Sequence, residues 1–511
     1  MKTARFKPLG VITDIPAQEV EADNWSRVVN AVFQDDACKL AAGYRDMAGT
    51  LLFPPAYLIP NQQPSVFFWV YPSQAGIGAF DGANHFDITP ALYTGAGPGY
   101  WTAQNLNNLP IINNSIDPPL YWNGNPANIC LPMPGWPAGT TAGWMRSFKY
   151  MAIAGDIKGP AGDFENQVLW SEAVDPGQVP QSWTAAPDNA AGDNILAATP
   201  GSVVDGVALR DNFVLLKNHS MYLMSLVGGQ FIFSFRKLFI TTGVLTRNCA
   251  KEYKGKLFVF TDGDVIMTDG HDIVSIAERK VRRTIFNEMS ADYYQTSFMA
   301  IWPAEDELWC CYPTAGATVP NKAAVYNLIT GHWGFRELPN VAFAQTGLIT
   351  DDAAPRTWAT MNEQWKAITW RWDETGLRAI ADSLIMATPS PPQILAVGEI
   401  DDTDPVIIQG IIAKDSFPLE DWDNVKTITE IWPILVGQRG GQINVRVGSQ
   451  MRENDPITWG PSKPFVFGSG EKLSVNATGR LFSVQYSGEG VGGRTARISG
   501  FELRYRTGGR Y

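Results

Sequence analysis

Aspartates at 262, 264, 269 and 272 and a histidine at 271 crowd the stretch LFVFTDGDVIMTDGHDI, residues 257–273. Carboxylates and an imidazole this close are the raw material of a cation site or of metal-assisted hydrolysis. A helix-flanked calcium loop needs oxygen ligands at alternate positions, a glycine at the sixth and a glutamate at the twelfth. Counted from Asp262, the alternate positions are Asp264 and Ile266, the sixth is Met267, and the twelfth carries no acid. The spacing instead puts Asp-Gly at 262–263 and 269–270, each behind an apolar run, which is the strongest short-range signal for a tight turn. His271 then falls in a loop or at the start of the next strand.

Other residues invite the same test. Asp35, Asp36, Asp205, Asp211, Glu305, Asp306 and Glu307 offer the carboxylates from which a glycosidase pair would be drawn, and such a pair must stand about 5–9 Å apart across a sugar-binding pocket. The run AEDE at 304–307 has the look of a solvated face. Four histidines, His85, His219, His271 and His332, are scattered singly, and a three-imidazole zinc would need nearly all of them. Cys38, Cys130, Cys249, Cys310 and Cys311 show neither metal spacing nor a disulfide framework, so all five are expected as thiols, with Cys310 and Cys311 on opposite faces of a strand, one buried and one less so. The glycines 437, 440 and 441 lack the lysine and hydroxyl of a phosphate loop, and no GxSxG elbow occurs. Trp358, Trp365, Trp370 and Trp372 form a stripe that suits packing between sheets better than sugar stacking. No residue is nominated as catalytic, cofactor-binding or metal-ligating.

The elements that would position these residues are strands. The chain has 511 residues, 45% of them hydrophobic and 18% charged, with 18 Trp, 16 Tyr, 25 Phe, 48 Gly and 35 Pro. Aromatics together with turn formers favour many short strands joined tightly, and the length asks for several domains or one large repetitive architecture. A net charge of -11 argues against non-specific nucleic-acid binding over the outer surface. The opening MKTARFKPLGVITDIPAQ has no apolar run, so no signal peptide is expected there, and no stretch approaches a membrane span. Synthesis and folding in a cytoplasm are the simplest expectation.

Three regions follow from the pattern. Residues 1–140 are irregular, rich in proline and asparagine, with short strands hidden among them. Residues 141–390 carry paired short strands: LRDNFVLLKNHSMYLMSL turns at KNHS, KLFVFTDGDVIMTDG at TDGD, and AAVYNLITGHWGF at TGHW. Such pairs suit four-stranded units. Residues 391–511 alternate cleanly, with Ile443, Val445 and Val447, then Phe482, Val484 and Tyr486, then Phe501, Leu503 and Tyr505 on one buried face. Helix is scarce; WSRVVNAVF at 25–33 and TGLRAIADSLI at 375–385 are the best candidates, and both read equally as strand. The expected fold is all-β, a β-propeller over 141–390 with an additional β-rich C-terminal region.

Parts of the chain resemble tail proteins of short-tailed bacteriophages. NWSRVVNAVFQDDACKLAAGY, with Trp25, Asn30, Phe33 and Gly43, is similar to the start of such chains. NQVLWSEAVDPGQVPQSW, with Trp170 and Ser171 ending a strand and Trp183 returning to it, resembles their repeated unit, and Phe258, Phe260 and Asp262 resemble the next. RISGFELRYRTGGRY, with Ile498, Ser499, Gly500, Phe501 and Leu503, is similar to their last strand. The resemblance spans residues 24–44, 144–340 and 478–511. It implies a nozzle or hub ring of the virion tail, made in the host cytoplasm, that extends the DNA ejection channel below portal and adaptor. It further implies a hexamer, contacts with adaptor and other tail proteins and with fibres or spikes, transient non-specific contact with DNA, and no stable membrane insertion. Arg504, Arg506 and Arg510 would meet acidic partner surfaces. The competing expectation is a carbohydrate-binding or glycoside-hydrolysing β-propeller.

Overall fold

The computed structural model of the chain describes residues 2–41, 43–64, 66–229, 231–349, 383–398, 408–420, 422–436, 442–468, 472–490 and 497–510. The tryptophan stripe at 358–372, the glycines 437, 440 and 441, and most of the segment 375–385 lie outside these residues. Within them the fold is all-β, in eight sheets whose strands pair antiparallel. Six sheets have four strands each. Two fall in the proline-rich first 140 residues: Ile59–Gln62, Phe67–Pro72, Ile77–Phe80 and His85–Asp87, then Thr102–Leu106, Leu109–Asn113, Leu120–Tyr121 and Leu131–Pro132. The run FFWVYP at 67–72 is buried along its whole length, which is why it shows no alternation: both faces of its sheet are covered.

The next three sheets are built from Thr141–Phe148, Met151–Gly159, Gly162–Trp170 and Gly192–Ile195; from Val203–Leu209, Asn212–Lys217, Met221–Leu226 and Phe233–Phe239; and from Ala250–Tyr253, Lys256–Phe260, Val265–Thr268 and Ile273–Ser275. A sixth joins Phe343–Gly347, Ser383–Pro389 and Pro392–Val397 to Tyr44–Asp46, a strand from near the N-terminus. Expected turns appear where the sequence puts them. WSRVVNAVF is strand, broken at Asn30, whose φ of 51° lies in the left-handed region that asparagine tolerates. The α-helix Arg282–Glu288 was not anticipated.

The expectation of a β-propeller with a separate C-terminal region is corrected by the strand pairing. Six sheets are open rows with two end strands and the two larger ones branch, at Arg497–Arg510 and at Gln442–Gln450, so among the described residues no sheet closes on itself into a barrel. The four strands Phe298–Trp302, Glu307–Tyr312, Lys322–Asn327 and Trp333–Glu337 do not stand alone as a unit. They continue through Ala31–Gln34 and Ala37–Leu40 into Arg497–Arg510, Asn424–Val436 and Leu473–Gly479, with Lys2–Phe6 also paired to Arg497–Arg510. One ten-stranded sheet thus unites the N-terminal hairpin, the middle of the chain and its last strand. A six-stranded sheet containing Arg27–Val29, Ile408–Pro418, Gln442–Gln450 and Leu481–Gly490 packs against its C-terminal half.

Between those two sheets lies an aromatic core. Phe6 stands 4.8 Å from Phe501 and 5.0 Å from Phe417, and Trp25 stands 5.9 Å from Tyr486, ring centre to ring centre. The alternating residues of 443–447, 482–486 and 501–505 all face it, as expected. Glycine is required at 500: its φ is +130°, and a Cβ there would sit 2.1 Å from the Phe6 carbonyl oxygen of the neighbouring strand. Cys310 and Cys311 do alternate between faces, but both are fully buried. Leu308, Cys310 and Tyr312 join one core while Trp309 and Cys311 join another, because this strand has packed layers on each side.

Candidate functional site

The acidic stretch at 257–273 is turn chemistry. Thr261 and Asp264 close the first hairpin, with the Thr261 N–H donating to the Asp264 carbonyl at 2.9 Å. The Thr261 hydroxyl oxygen accepts from the Asp264 N–H at 2.9 Å, and Gly263 keeps a negative φ, so threonine rather than glycine shapes this turn. At the second turn Gly270 does adopt φ +96°. The Asp269 carboxylate accepts from the His271 and Asp272 N–H groups at 2.9 and 3.4 Å, and those bonds hold its carboxyl below the usual range. His271 is exposed. Asp35 and Asp36, with φ of 50° and 54°, form the two-residue turn of the hairpin between Ala31–Gln34 and Ala37–Leu40, and Asp211 sits at another exposed turn.

Asp205 is placed differently from the other carboxylates. It is fully buried and ion-paired bidentately with Arg146: Nε to Oδ1 at 2.9 Å and Nη2 to Oδ2 at 2.8 Å. The N–H groups of Gly206 and Asn248 also donate to it, each at 2.8 Å. Arg146 donates further to the Ala103 carbonyl at 3.1 Å and to Asn248 Oδ1 at 2.8 Å. Asn248 receives the Tyr57 hydroxyl at 3.1 Å and donates to the Trp101 carbonyl at 3.0 Å. Burial alone would raise the Asp205 carboxyl, but the Arg146 charge and these hydrogen bonds hold it below the ordinary range. Strands Thr141–Phe148 and Val203–Leu209 and the segments before Thr102, Ile59 and Ala250 all meet at this knot. With its partners satisfied, Asp205 has no lone pair aimed at a substrate, and its work is to hold neighbouring sheets in register. Lys251, one strand further on, donates to Gln345 Oε1 at 3.3 Å and lies 5.7 Å from the Phe343 ring centre. Desolvation, aided by the Arg146 charge, lowers its ammonium to about 8.

The AEDE run is not uniformly solvated. Glu305 pairs with Lys39 at 3.1 Å, and Asp306, in the left-handed region at φ 52°, accepts from Tyr253 and Lys254. Glu307 turns inward. It is 4% exposed and its Oε2 accepts from the Trp309 indole N–H at 2.8 Å. Burial pushes its carboxyl up to about 7, against the opposing charge of Arg336. The unfolded chain holds this group near 4.5, so between pH 4.5 and 7 the folded state carries the extra proton and stability falls as pH rises. Glu307→Gln keeps an acceptor for Trp309. The variant is expected to lose that slope and to exceed the parent in stability at pH 8 by up to about 3 kcal/mol. Chemical denaturation at pH 5 and pH 8 checks this; an unchanged slope would show that the carboxyl ionises freely in place.

A cleft of about 630 Å³ opens where Val29 of the six-stranded sheet faces Lys322, Phe335, Arg336 and Glu337 of the ten-stranded one. Glu288, at the end of the helix, lines it too, and accepts from Lys322 Nζ at 2.6 Å and from the Tyr312 hydroxyl at 3.2 Å. Lys322 also lies over the Phe335 ring at 4.9 Å. Glu337 receives Asn30 Nδ2 at 3.4 Å. The cleft thus offers a polar ligand hydrogen-bonding groups already tied to one another, with Glu288 committed to a cation. Neither Asp205 nor Glu307 lines it.

His85 is held between the Tyr71 hydroxyl at 3.0 Å and the Ala48 carbonyl at 2.8 Å, stacked on Phe80. His219 is exposed, and desolvation lowers the imidazole of His332. The five cysteines are free and buried. No group of three or more His, Cys, Asp or Glu among the described residues is arranged to hold a metal ion. Ser171 ends its strand as expected, its hydroxyl accepting from the Ala152 N–H at 3.0 Å. Trp183 packs edge-on against Trp136 at 4.7 Å, while the loop returns through Ser182, whose carbonyl accepts from the Glu172 N–H at 3.1 Å.

No family model matches the chain, and no curated protein matches it. Among solved structures, the crystal structure of the WD40 beta propeller domain of Doa1 aligns with 70% of this chain and 96% of that one, at 8% identity and a TM-score of 0.37. A likeness that faint carries no argument about this chain. The vocabulary of virion, phage tail, nozzle, hub and hexamer that came with the sequence resemblance therefore has no match behind it, and β-propeller is withdrawn in favour of an all-β, sheet-rich fold.

Proposed function

We propose that this chain works by shape rather than by chemistry, as a structural subunit of a larger assembly, and that the assembly is the tail of a short-tailed bacteriophage. The proposal of a tail rests on the sequence resemblance at 24–44, 144–340 and 478–511. The observation that supports a scaffold is the fate of the carboxylates. Asp205 is bound on every side by Arg146, Asn248 and Gly206, and Asp35, Asp36, Asp262 and Asp269 sit at hairpin turns. Groups spent in this way stiffen a subunit, and none of these five lines the 630 Å³ cleft. In such a role the subunit would associate with copies of itself and with adaptor proteins, and loops facing the exiting genome would touch phosphates without reading bases. Weak attraction is useful there, since tight phosphate contacts would hold back a passing genome.

Imaging of intact particles from a host expressing this chain tests the reading. A ring of copies in the tail would support it, and absence from the particle would end it. A glycan hydrolysis screen separates the alternative: turnover that disappears on replacing Glu288 or Glu337 in the 630 Å³ cleft would replace the scaffold by an enzyme.

A further inference from the structure

The C-terminal half of the ten-stranded sheet buries one face in the aromatic core and leaves the other open. Strand register decides which residues stand outside. Phe6 and Phe501 are partners and point inward, so Arg5 and Glu502, the next pair along, point outward. Trp432, the partner of Glu502 on its other side, continues their row. Lys472, which precedes Leu473 on the next strand, ends it, with Nζ 5.4 Å from the Trp432 ring centre. Trp432 is 42% exposed and Arg5 is exposed, and among the described residues no further sheet packs on this face.

The next row holds an ion pair. Arg504 Nη1 stands 3.0 Å from Glu430 Oε2, and Lys472 Nζ reaches the same oxygen at 3.7 Å. Glu430, Trp432, Lys472, Glu502 and Arg504 line one shallow groove. Arg5 and Glu502 face each other directly, and among the described residues neither is ion-paired. Arg506 stands a row further on, and Arg497, 3.9 Å from Asp35, lies at the far end of the strand. The groove therefore sets one open indole among side chains of both signs, some tied to one another and some with donors or acceptors to spare.

We infer that this face binds a saccharide chain. A sugar ring would stack on the open part of the Trp432 indole, with its hydroxyls receiving hydrogen bonds from Arg5 and Arg504 and donating to Glu502. Charges of both signs around the indole suit a hydroxyl-rich chain, which donates and accepts at every ring. The centre of a protein interface is depleted in charged residues, whereas here they crowd the single aromatic. A nucleic acid strand would stack as well, but its phosphates would meet Glu430 and Glu502 beside the ring. Binding of this kind needs only the isolated chain, whether or not it belongs to a tail.

Electrophoresis of the full chain through native gels containing dextran, galactan, xylan or alginate tests this. At least one polysaccharide is expected to retard the parent, and the retardation to persist at high salt, which screens exposed charges. Trp432→Ala should weaken it at least about tenfold. Glu502→Ala should weaken it severalfold and Glu502→Gln less, because the amide keeps an acceptor. Tyr150→Ala, at a 59% exposed aromatic elsewhere, should change nothing. Trp432 stands outside the core, so thermal melts are expected to show every variant folded. An oligothymidylate serves as the contrasting ligand. A parent that passes every gel unretarded, equal retardation of Trp432→Ala, or an oligothymidylate that binds through Trp432 more tightly than any polysaccharide would each overturn the inference.

Discussion

Replacing Arg146 by methionine is expected to cost about 3–5 kcal/mol of stability, because Asp205 would then keep a charge in a buried place with its main partner gone. The side chain of Asp205 is fully buried and that of Arg146 is 11% exposed, so water cannot take over the guanidinium's role. The loss is larger than for a surface pair, where a median of about 0–1 kcal/mol would be expected. Asp205→Leu alone should cost a similar amount for the mirror-image reason. The double variant Arg146→Met with Asp205→Leu should recover much of the loss, since removing both charges also removes both desolvation costs. A double-mutant cycle read by thermal and denaturant melts measures this. Purely additive losses would mean that the two residues stabilise separate parts of the molecule and that the knot is no unit.

The knot also shows why the sequence was only partly legible. Turns could be read because their chemistry is local: Asp269 binds N–H groups two and three residues away, and Asp35 and Asp36 supply the left-handed φ of their own hairpin. The alternation at 443–447 and 501–505 could be read because one face is core and the other is not, and that at 482–486 because the second face, though buried, carries the polar Ser483 and Gln485. Arg146 carried no such mark. Its carboxylate partner is 59 residues away and its amide partner 102, and nothing in either neighbourhood announces the other. Glu307 misled for a related reason: AEDE looks like a solvated run, but a strand sends successive side chains to opposite faces, and in this sheet both faces are packed. The proline-rich opening hid two complete sheets because Pro60, Pro72, Pro110 and Pro132 sit inside short strands, where propensity argues against them. The propeller expectation failed at the level of pairing partners. Strong local strand pairs give the four-stranded units, but they do not say that the hairpin at 31–40 and the last strand extend one of those units into a ten-stranded sheet.

The second large effect is expected at Lys414, and its sign depends on pH. Lys414 is 1% exposed in strand Ile408–Pro418 and donates to the carbonyls of Glu21 and Asn24 at 2.8 and 2.7 Å, 393 and 390 residues away, so it fastens the N-terminal segment onto the six-stranded sheet. Desolvation lowers its ammonium to about 8 from the ordinary 10.5, with the charge of Asp23 working weakly the other way. Between pH 8 and 10.5 the unfolded chain therefore holds a proton that the folded chain has released, and stability rises with pH across that window. The full rise is about 3 kcal/mol, from 2.5 units at 1.36 kcal/mol each. Lys414→Met removes the titration and both of its hydrogen bonds, leaving the Asn24 carbonyl without this donor while the Glu21 carbonyl keeps the Asn24 N–H at 3.0 Å. At pH 7 that loss, about 1–3 kcal/mol for an unsatisfied carbonyl, is partly offset by the relief of no longer burying a charge. At pH 10 the parent has shed the charge but still donates both hydrogen bonds, so nothing offsets the variant's loss. The gap between parent and Lys414→Met should accordingly widen by about 3 kcal/mol from pH 7 to pH 10. Comparing the two proteins cancels every other alkaline group, including Lys251, which titrates near the same pH in both. Denaturant melts at the two pH values, with proteolysis of residues 7–25 as a local readout, decide the matter. A gap that stays constant would show that Lys414 remains charged in the fold, and a gap that narrows would reverse the sign of the argument.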